Sequence, residues 1–509
     1  MDRSLIGAPD QLLIGDVFAN AARAVPDRAA AVMGDRSITF GQLDVRAHRL
    51  AALLHTRGLR RGDRVACWSG TDLDLVVLFA ALARLGAVFA PVAGTLEAAE
   101  AAEVLASLRP ALVVAGEGQR TSPVLHTVAP GGGVTSLREL AAAAGTADPA
   151  ATVPYEDPEL VETDPHAIFM TSGSTGRPKG IVLSHRAGFL RSHPGSQLEP
   201  RGAAVCTFPL FHMAAWTISL QQWQARDTVV HLARADGAAI REAVSVHRAS
   251  RLYCVPAVWH RVLEAGPGPL PTLRFADTGT SAVTPALLDS IRAAAPHAHL
   301  RVFYGSTEAG NVTSIGGDEL LAHPQSAGSP GTSVRIRLDP SGELLVRGPL
   351  LFHGYADDPQ ATEAAFTEGW YRTGDLARLD GAGRITLVGR TGDLIRTGGE
   401  TVAPAEVEAA ITAHPAVADA AVVGLPDPVW GEVVACLLVP QDPEAEPPDL
   451  DELRRYLRGN LAAHKHPRLL RVARTLPRTA ATGQPRRQWI RAMLQETAPP
   501  PPPGPGNRG

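Results

Sequence analysis

The stretch TSGSTGRPKG, Thr171 to Gly180, is the segment of this chain best suited to chemistry. It follows the apolar run AIFM (Ala167–Met170); hydroxyls and glycines alternate along it, and Lys179 closes it. Glycines let a backbone approach an anion and adopt positive φ. Consecutive N–H groups and Ser/Thr hydroxyls then bind phosphate oxygens, and the lysine adds charge. The usual P-loop needs Ser or Thr after its lysine, and Gly180 stands there instead. Read alone, such a run could be a Ser/Gly surface turn. The order of residues argues for a phosphate cradle, as does the scarcity of lysine. Lys179 and Lys465 are the only lysines among 48 basic residues.

Other segments carry single reactive groups. His212 ends PLFH (Pro209–His212), Thr307 and Glu308 end YGSTE from Tyr304, and Asp375 ends YRTGD from Tyr371. Each also has a plain structural reading. A histidine in an apolar run is often a satisfied core residue, Glu308 could cap a helix, and Asp375 after Gly374 could be a turn residue. Asp380 before GAG is a good β-turn start.

These residues need a scaffold, and the length and composition allow one. At 509 residues, with 45% hydrophobic and 20% charged content, the chain suits a globular protein of two to four domains. A net charge of −4 argues against nucleic acid as a partner. Four scattered cysteines, Cys67, Cys206, Cys254 and Cys436, form no CxxC pair and read as reduced and buried. The N-terminus lacks a secretory pattern, and the most apolar run, Leu75–Val92, is broken by Arg84, Gly86 and Pro91. A cytoplasmic protein without a membrane span is expected.

Helical spacing over Phe40–Arg57 and Leu75–Leu85 alternates with strand-like Arg64–Trp68 and Ala87–Val92, the pattern of α/β units around a mostly parallel sheet. A polar, Gly-rich connector from about Gly116 to Asp164 is expected to be a variable surface region. A second α/β run begins at Ala167, with a helix at Pro285–Ala294 and a strand at Leu300–Tyr304. From Ser333 short strands alternate with turns. Beyond Asp380, with a strand GEVVACLLVP and a helix at Leu453–Leu461, a small α+β domain is expected. The boundaries predicted are 1–379, 380–495 and a Pro-rich disordered tail, 496–509.

Together the motifs resemble the adenylate-forming superfamily of acyl- and aryl-CoA synthetases, peptide-synthetase adenylation domains and luciferases. TSGSTGRPKG, PLFH, YGSTE, YRTGD, GRTGDLIRTGGETVAPAEVE (Gly389–Glu408) and GLPDPVWGE (Gly424–Glu432) stand in family order, and the resemblance spans about Leu12 to Arg491. It implies an α/β fold with a large N-terminal domain of α/β subdomains, a small mobile α+β C-terminal domain and an active site between them. It implies ATP, Mg²⁺ and CoA, or a carrier-protein thiol, as co-reactants. A carboxylate attacks the α-phosphorus of ATP to give an acyl-adenylate, and a thiol then takes the acyl group. Positioning and charge stabilisation dominate such steps.

The resemblance assigns roles residue by residue. Thr171, Ser172, Gly173, Ser174, Thr175, Gly176 and Lys179 would hold the β/γ-phosphates. Tyr304 would border the nucleotide, Thr307 would contact the α-phosphate, and Glu308 would bind Mg²⁺, a cation preferring oxygen ligands. Asp375 would accept hydrogen bonds from the ribose hydroxyls, with Arg390 supporting it. Asp380 would be the hinge, and Gly398, Gly399 and Glu400 would form the thiol-transfer loop. His212 would lie between the acyl pocket and the path of the thiol. The pocket itself would take Trp216, Thr278, Gly279, Thr280, Ser281 and Gly305. The hydroxyls of DTGTSAV (Asp277–Val283) and nearby aromatic residues favour a small, aromatic or partly polar acid over a long acyl chain; bonding of those hydroxyls to backbone is the competing reading.

One position departs from the family. Relatives carry a lysine after the glycine of the last signature, whereas LPRTAATGQPRR (Leu476–Arg487) has Gln484. Glutamine keeps a donor but loses the cation, which puts roughly 10²–10³ in adenylation rate at stake. Arg486 and Arg487 stand nearby, but a guanidinium is a planar fork and not a point charge. Three readings stay open. The first is an acyl- or aryl-CoA ligase with altered adenylation. The second is an adenylating enzyme with another acid or acceptor, such as a diazotase-like activator of nitrite for an aryl amine, or a single half-reaction. The third is a silent nucleotide- or acyl-binding relative. The intact phosphate loop, Glu308 and Asp375 argue against the third. A free-standing carrier protein is an alternative acceptor.

Overall fold

The computed structural model describes residues 11–128, 133–146, 155, 157–172, 178–193, 202–281, 283–478 and 483–496. Gly173, Ser174, Thr175 and Gly176 of the phosphate-loop stretch lie outside these residues, as does the expected tail from 497 onward. The chain divides into two compact units, Met1–Arg335 with Val346–Tyr371, and Ile336–Leu345 with Arg372–Gly509.

The first unit is α/β, built on two sheets. One runs Gly354–Tyr355, Pro178–Ser184, Pro165–Ser172, Val88–Ala93, Arg64–Ser69, Leu112–Ala115, Gly133–Ser136. Its strands from Pro165–Ser172 onward are parallel, and Pro178–Ser184 folds back antiparallel. The other sheet has nine strands, with a parallel centre ordered Val229–His231, Ala204–Cys206, Arg251–Tyr253, Phe275–Gly279, His299–Ser306. Local sequence accounts for the elements. Thr39 and Gln42 form a reciprocal capping box that starts the helix Phe40–Thr56. The helix Asp74–Leu85 is buried from Leu75 to its end, as an apolar run packed on all sides must be. Gly86, at φ 72°, closes it.

The Gly116–Asp164 connector differs from expectation. It contains the strand Gly133–Ser136, paired in parallel with Leu112–Ala115, and the helix Leu137–Thr146. Leu137, Leu140 and Ala144 of that helix are buried. Ser136 Oγ accepts from the Glu139 N–H, and Glu139 Oε2 accepts from the Ser136 N–H. This capping box outweighs the polar, Gly-rich composition that suggested a loop.

The second unit is α+β. One of its sheets runs Glu400–Val402, Ile395–Thr397, Gly431–Pro440, Val417–Asp427, with Leu469–Val472 joining Gly431–Pro440, and another pairs Glu343–Arg347, Trp370–Leu379 and Ile385–Arg390. Strand alternation fills both faces of the first. Ala420 and Val422 pack with Val407, Ile411, Leu453 and Leu457, while Ala421 and Val423 pack with Ile490 and Leu494. The helix expected at Leu453–Leu461 spans Leu450–Leu457, because Asp449 caps its start and Arg458 turns extended at ψ 130°. No helix among the described residues is long and apolar enough to cross a membrane.

Candidate active site

The strands Pro165–Ser172 and Pro178–Ser184 form a hairpin that places Thr171 opposite Lys179 and Ser172 opposite Pro178. Thr171 Oγ1 donates to the Lys179 carbonyl at 3.5 Å. The Lys179 ammonium lies over the Tyr355 ring, 4.7 Å from its centre, a cation–π contact. The Tyr355 hydroxyl in turn points to Glu308 Oε1 at 3.5 Å. Burial, and then the Glu308 charge, push the Tyr355 phenol up to about 12, so it stays a proton donor to the carboxylate. Tyr371 is pushed up by the same two causes. Lys179, Tyr355 and Glu308 therefore form one line of contacts.

Glu308 sits in the turn between the antiparallel strands His299–Ser306 and Gly310–Gly316. Two features make this turn tight. Ser306 Oγ accepts from the Ala309 N–H at 3.1 Å. Gly305 runs so close to its neighbour that a Cβ would lie 2.1 Å from the Gly310 carbonyl oxygen. Arg191, at the end of the helix His185–Arg191, holds the turn from behind. Its Nη1 donates to the Thr307 carbonyl at 2.7 Å and its Nη2 to the Glu308 carbonyl at 2.6 Å; its Nε donates to Leu350 at 2.6 Å. Neither Arg191 nor Tyr355 was singled out in the sequence. A buried arginine leaves no local pattern, since its partners are 116 to 159 positions away.

The remaining first-unit candidates gather at the C-terminal ends of the parallel strands, where open α/β sheets bind ligands. His212 caps the helix Met213–Gln224, its Nδ1 accepting from the Ala214 N–H at 3.2 Å. Burial lowers its pKa to about 4, so the ring is neutral and carries its proton on Nε2. It stacks on Phe208 at 5.6 Å, and Phe208 packs on Tyr253 at 5.2 Å. The Tyr253 hydroxyl lies 3.3 Å from Thr280 Oγ1, and Thr280 holds a left-handed φ of 73°. Thr278, fully buried, has no partner for its Oγ1 among the described residues. An orphan buried hydroxyl costs about 1–3 kcal/mol unless something accepts it. Gly279 lies between these two hydroxyl residues on the chain, and Ser281 follows them. Trp216 is buried in the aromatic core, stacked on Phe79 at 4.1 Å, with its Nε1 donating to the Leu210 carbonyl.

The second unit holds its own candidates. Asp375 pairs across strands with Arg390, and Arg390 Nε donates to Asp375 Oδ1 at 2.8 Å. Glu343, nearly fully buried, braces the YRTGD turn, accepting from the Gly374 N–H at 2.9 Å and from Arg372. Asp380 makes the turn its sequence suggests, accepting from the Ala382 and Arg384 N–H groups at 2.9 and 3.0 Å. Gly398 and Gly399, at φ 59° and 83°, make the two-residue turn between Thr397 and Glu400. A Cβ at Gly398 would lie 2.7 Å from the Trp430 ring, so a side chain there would meet both the left-handed backbone and the ring. Lys465 is held by Glu406 at 2.7 Å. Gln484 follows Gly483, whose carbonyl accepts from Arg478 at 2.6 Å. Arg487 is bound to Asp393 at 3.0 Å and to Glu408 at 2.6 Å, and Arg486 lies over the Trp489 ring.

Among the described residues no three His, Cys, Asp or Glu side chains cluster as a metal cage. The lone Glu308 carboxylate fits Mg²⁺ all the same, because that ion commonly takes one or two carboxylates and completes its shell with substrate phosphates and water.

Comparison with known proteins bears on the family and the fold. The family description "AMP-binding enzyme" matches residues 18–356, and "AMP-binding enzyme C-terminal domain" matches residues 406–482. The chain is 30% identical to the long-chain-fatty-acid–CoA ligase FadD13 of Mycobacterium tuberculosis (strain H37Rv), with 91% of this chain and 95% of that protein covered. It is 32% identical to a feruloyl-CoA synthase of an Amycolatopsis species, with 90% and 95% covered. The fold superposes on ATP-bound MatB from Rhodopseudomonas palustris with a TM-score of 0.84 at 28% identity, covering 95% and 99% of the two chains. The motifs, the two-unit fold and these matches converge, and the chain belongs to the AMP-binding enzyme family, the AMP-forming ligases of the adenylate-forming superfamily.

Proposed function

We propose that this protein is a cytoplasmic ligase that activates a small aromatic or partly polar carboxylic acid as its acyl-adenylate and passes the acyl group to CoA. The observation that carries the substrate class is the polar, aromatic-walled strand edge. The buried orphan hydroxyl of Thr278, the Thr280–Tyr253 pair and the neutral His212 on Phe208 suit an acid with a ring and a polar group. A long alkyl chain would leave these hydroxyls unmatched.

In this reading ATP supplies the α-phosphorus that the substrate carboxylate attacks, with pyrophosphate leaving. Lys179 and the Thr171–Gly176 stretch neutralise and orient the β/γ-phosphates. Thr307 donates to the α-phosphate, and Glu308 holds Mg²⁺. Tyr304 borders the adenine side. Asp375 accepts from the ribose hydroxyls while Arg390 fixes its carboxylate. His212, with its proton on Nε2, guards the path of the thiol, and Gly398–Glu400 lines it. The small domain, residues 380–495, turns about Asp380 between the two half-reactions. Acid-dependent ATP–pyrophosphate exchange across a panel of carboxylates tests this. Aryl acids should exceed C12–C16 acids at least tenfold, and the reverse order would sink the substrate assignment.

One observation favours a second reading. Gln484 replaces the lysine, and Arg487 cannot stand in for it while bound to Asp393 and Glu408. Slow adenylation of ordinary carboxylates, another acid such as nitrite, or a carrier-protein thiol as acceptor would follow. Under the CoA-ligase reading, Gln484→Lys raises ATP–pyrophosphate exchange by about tenfold or more. No gain, together with turnover of nitrite and an aryl amine, would favour the second.

A further inference from the structure

The geometry points to Arg191 as a positioning residue that fixes the Thr307–Glu308 turn and sets a positive charge with no direct ion-pair partner behind it for the nucleotide-bound state. The inference rests on the ligase reading above. Its basis is the set of partners. All three nitrogen positions of the guanidinium bind main-chain carbonyls, those of Thr307, Glu308 and Leu350, at 2.6–2.7 Å. No carboxylate lies within ion-pair distance of Arg191 among the described residues. The residue is almost wholly buried. The other buried arginines each have a carboxylate partner: Arg84 pairs with Asp44, and Arg251 shares Asp277 with Arg301.

A buried cation without a counter-ion is costly. A fold can retain such a charge where an anion arrives during function. The Glu308 charge acts on Arg191, and by the reading above that carboxylate would hold the Mg²⁺ that accompanies the triphosphate. Arg191 also ends the helix that follows directly on the Lys179 strand, so one rigid element links the phosphate hairpin to the Glu308 turn. Closeness adds to the constraint, since a Cβ at Gly310 would meet the Arg191 side chain at 3.1 Å.

Two variants separate positioning and charge from simple packing. Arg191→Lys keeps the charge but cannot span three carbonyls; Arg191→Gln keeps a donor and removes the charge. Purified full-length protein would be measured for the rise in melting temperature with saturating MgATP, for the Mg²⁺ half-saturation point, and for KM(MgATP) and kcat in ATP–pyrophosphate exchange. We expect Arg191→Gln to lose most of the MgATP-induced rise and to raise KM(MgATP) roughly tenfold, with Arg191→Lys between it and wild type. Both variants should need more Mg²⁺. A lower melting temperature with an unchanged MgATP-induced rise, KM and Mg²⁺ requirement would mean a packing role only and would overturn the proposal. Should Arg191→Gln fail to fold, Arg191→Lys alone decides by the same readouts. Wild-type protein that shows neither MgATP stabilisation nor exchange would instead refute the ligase reading.

Discussion

At the scale of single residues, the chemistry rests on side chains that also hold structure. His212 is a helix cap and, in the proposed reading, a pocket wall, and the two roles can be separated. His212→Ala removes the acceptor for the Ala214 N–H and should cost about 1 kcal/mol in urea unfolding, while His212→Asn restores the cap. If His212 also serves the reaction, only the stability loss is rescued by Asn. Equal rescue of activity would assign His212 to capping alone. Glu343 is a second case. Glu343→Gln weakens its bonds to Gly374 and Arg372 and should raise KM(MgATP) several-fold by loosening the loop that presents Asp375. Sequence motifs exposed Glu308, Asp375 and Lys179 because those groups lie in short, ordered signatures. They could not expose Arg191, Tyr253 or Glu343, whose partners are brought close only by sheet pairing across many residues.

At the scale of elements, the Gly398–Gly399 turn offers a sharper test than either glycine alone. Both have positive φ, but only Gly398 faces Trp430. Gly399→Ala should cost about 1 kcal/mol from backbone strain, and Gly398→Ala about 2–3 kcal/mol because the ring must also move. Chemical denaturation followed by Trp fluorescence compares the two. Equal losses would mean the ring yields freely. Most elements were legible in the sequence, including Pro285–Ala294 to the residue, because apolar periodicity and terminal glycine or proline mark them. The Leu137–Thr146 helix was missed because Gly and Ala content obscured its three buried positions, although the Ser136–Glu139 spacing signalled its start.

At the scale of the whole molecule, three buried histidines and the half-buried His212 tie stability to pH. Burial holds His212 and His231 at about 4 and His185 at about 3, and lowers His166 well below its ordinary value with help from the His185 charge. These folded values lie below the ordinary 6.5, so the unfolded chain binds more protons in the interval. Their contribution is complete above about pH 6.5 and falls as pH drops towards 4. His185 adds a specific cost, since its Nδ1 accepts from the Ile14 N–H and protonation abolishes that bond. Urea titrations between pH 4 and 7 should show stability falling with acid, with a slope of more than one proton. A flat profile would contradict the buried, neutral assignment. The sheet order that buries these rings had no local signature, because it depends on which distant strands become neighbours.

The near absence of lysine has a practical consequence at the same scale. A protease specific for lysine has only two bonds to cut, after Lys179 and after Lys465. The first lies in a paired strand and the second in a short helical turn whose lysine is bound to Glu406. Each bond becomes a reporter of local opening in its own unit, so a time course of digestion yields two separate opening rates on one gel. Nucleotide at the phosphate hairpin should slow the first cut and leave the second as an internal clock.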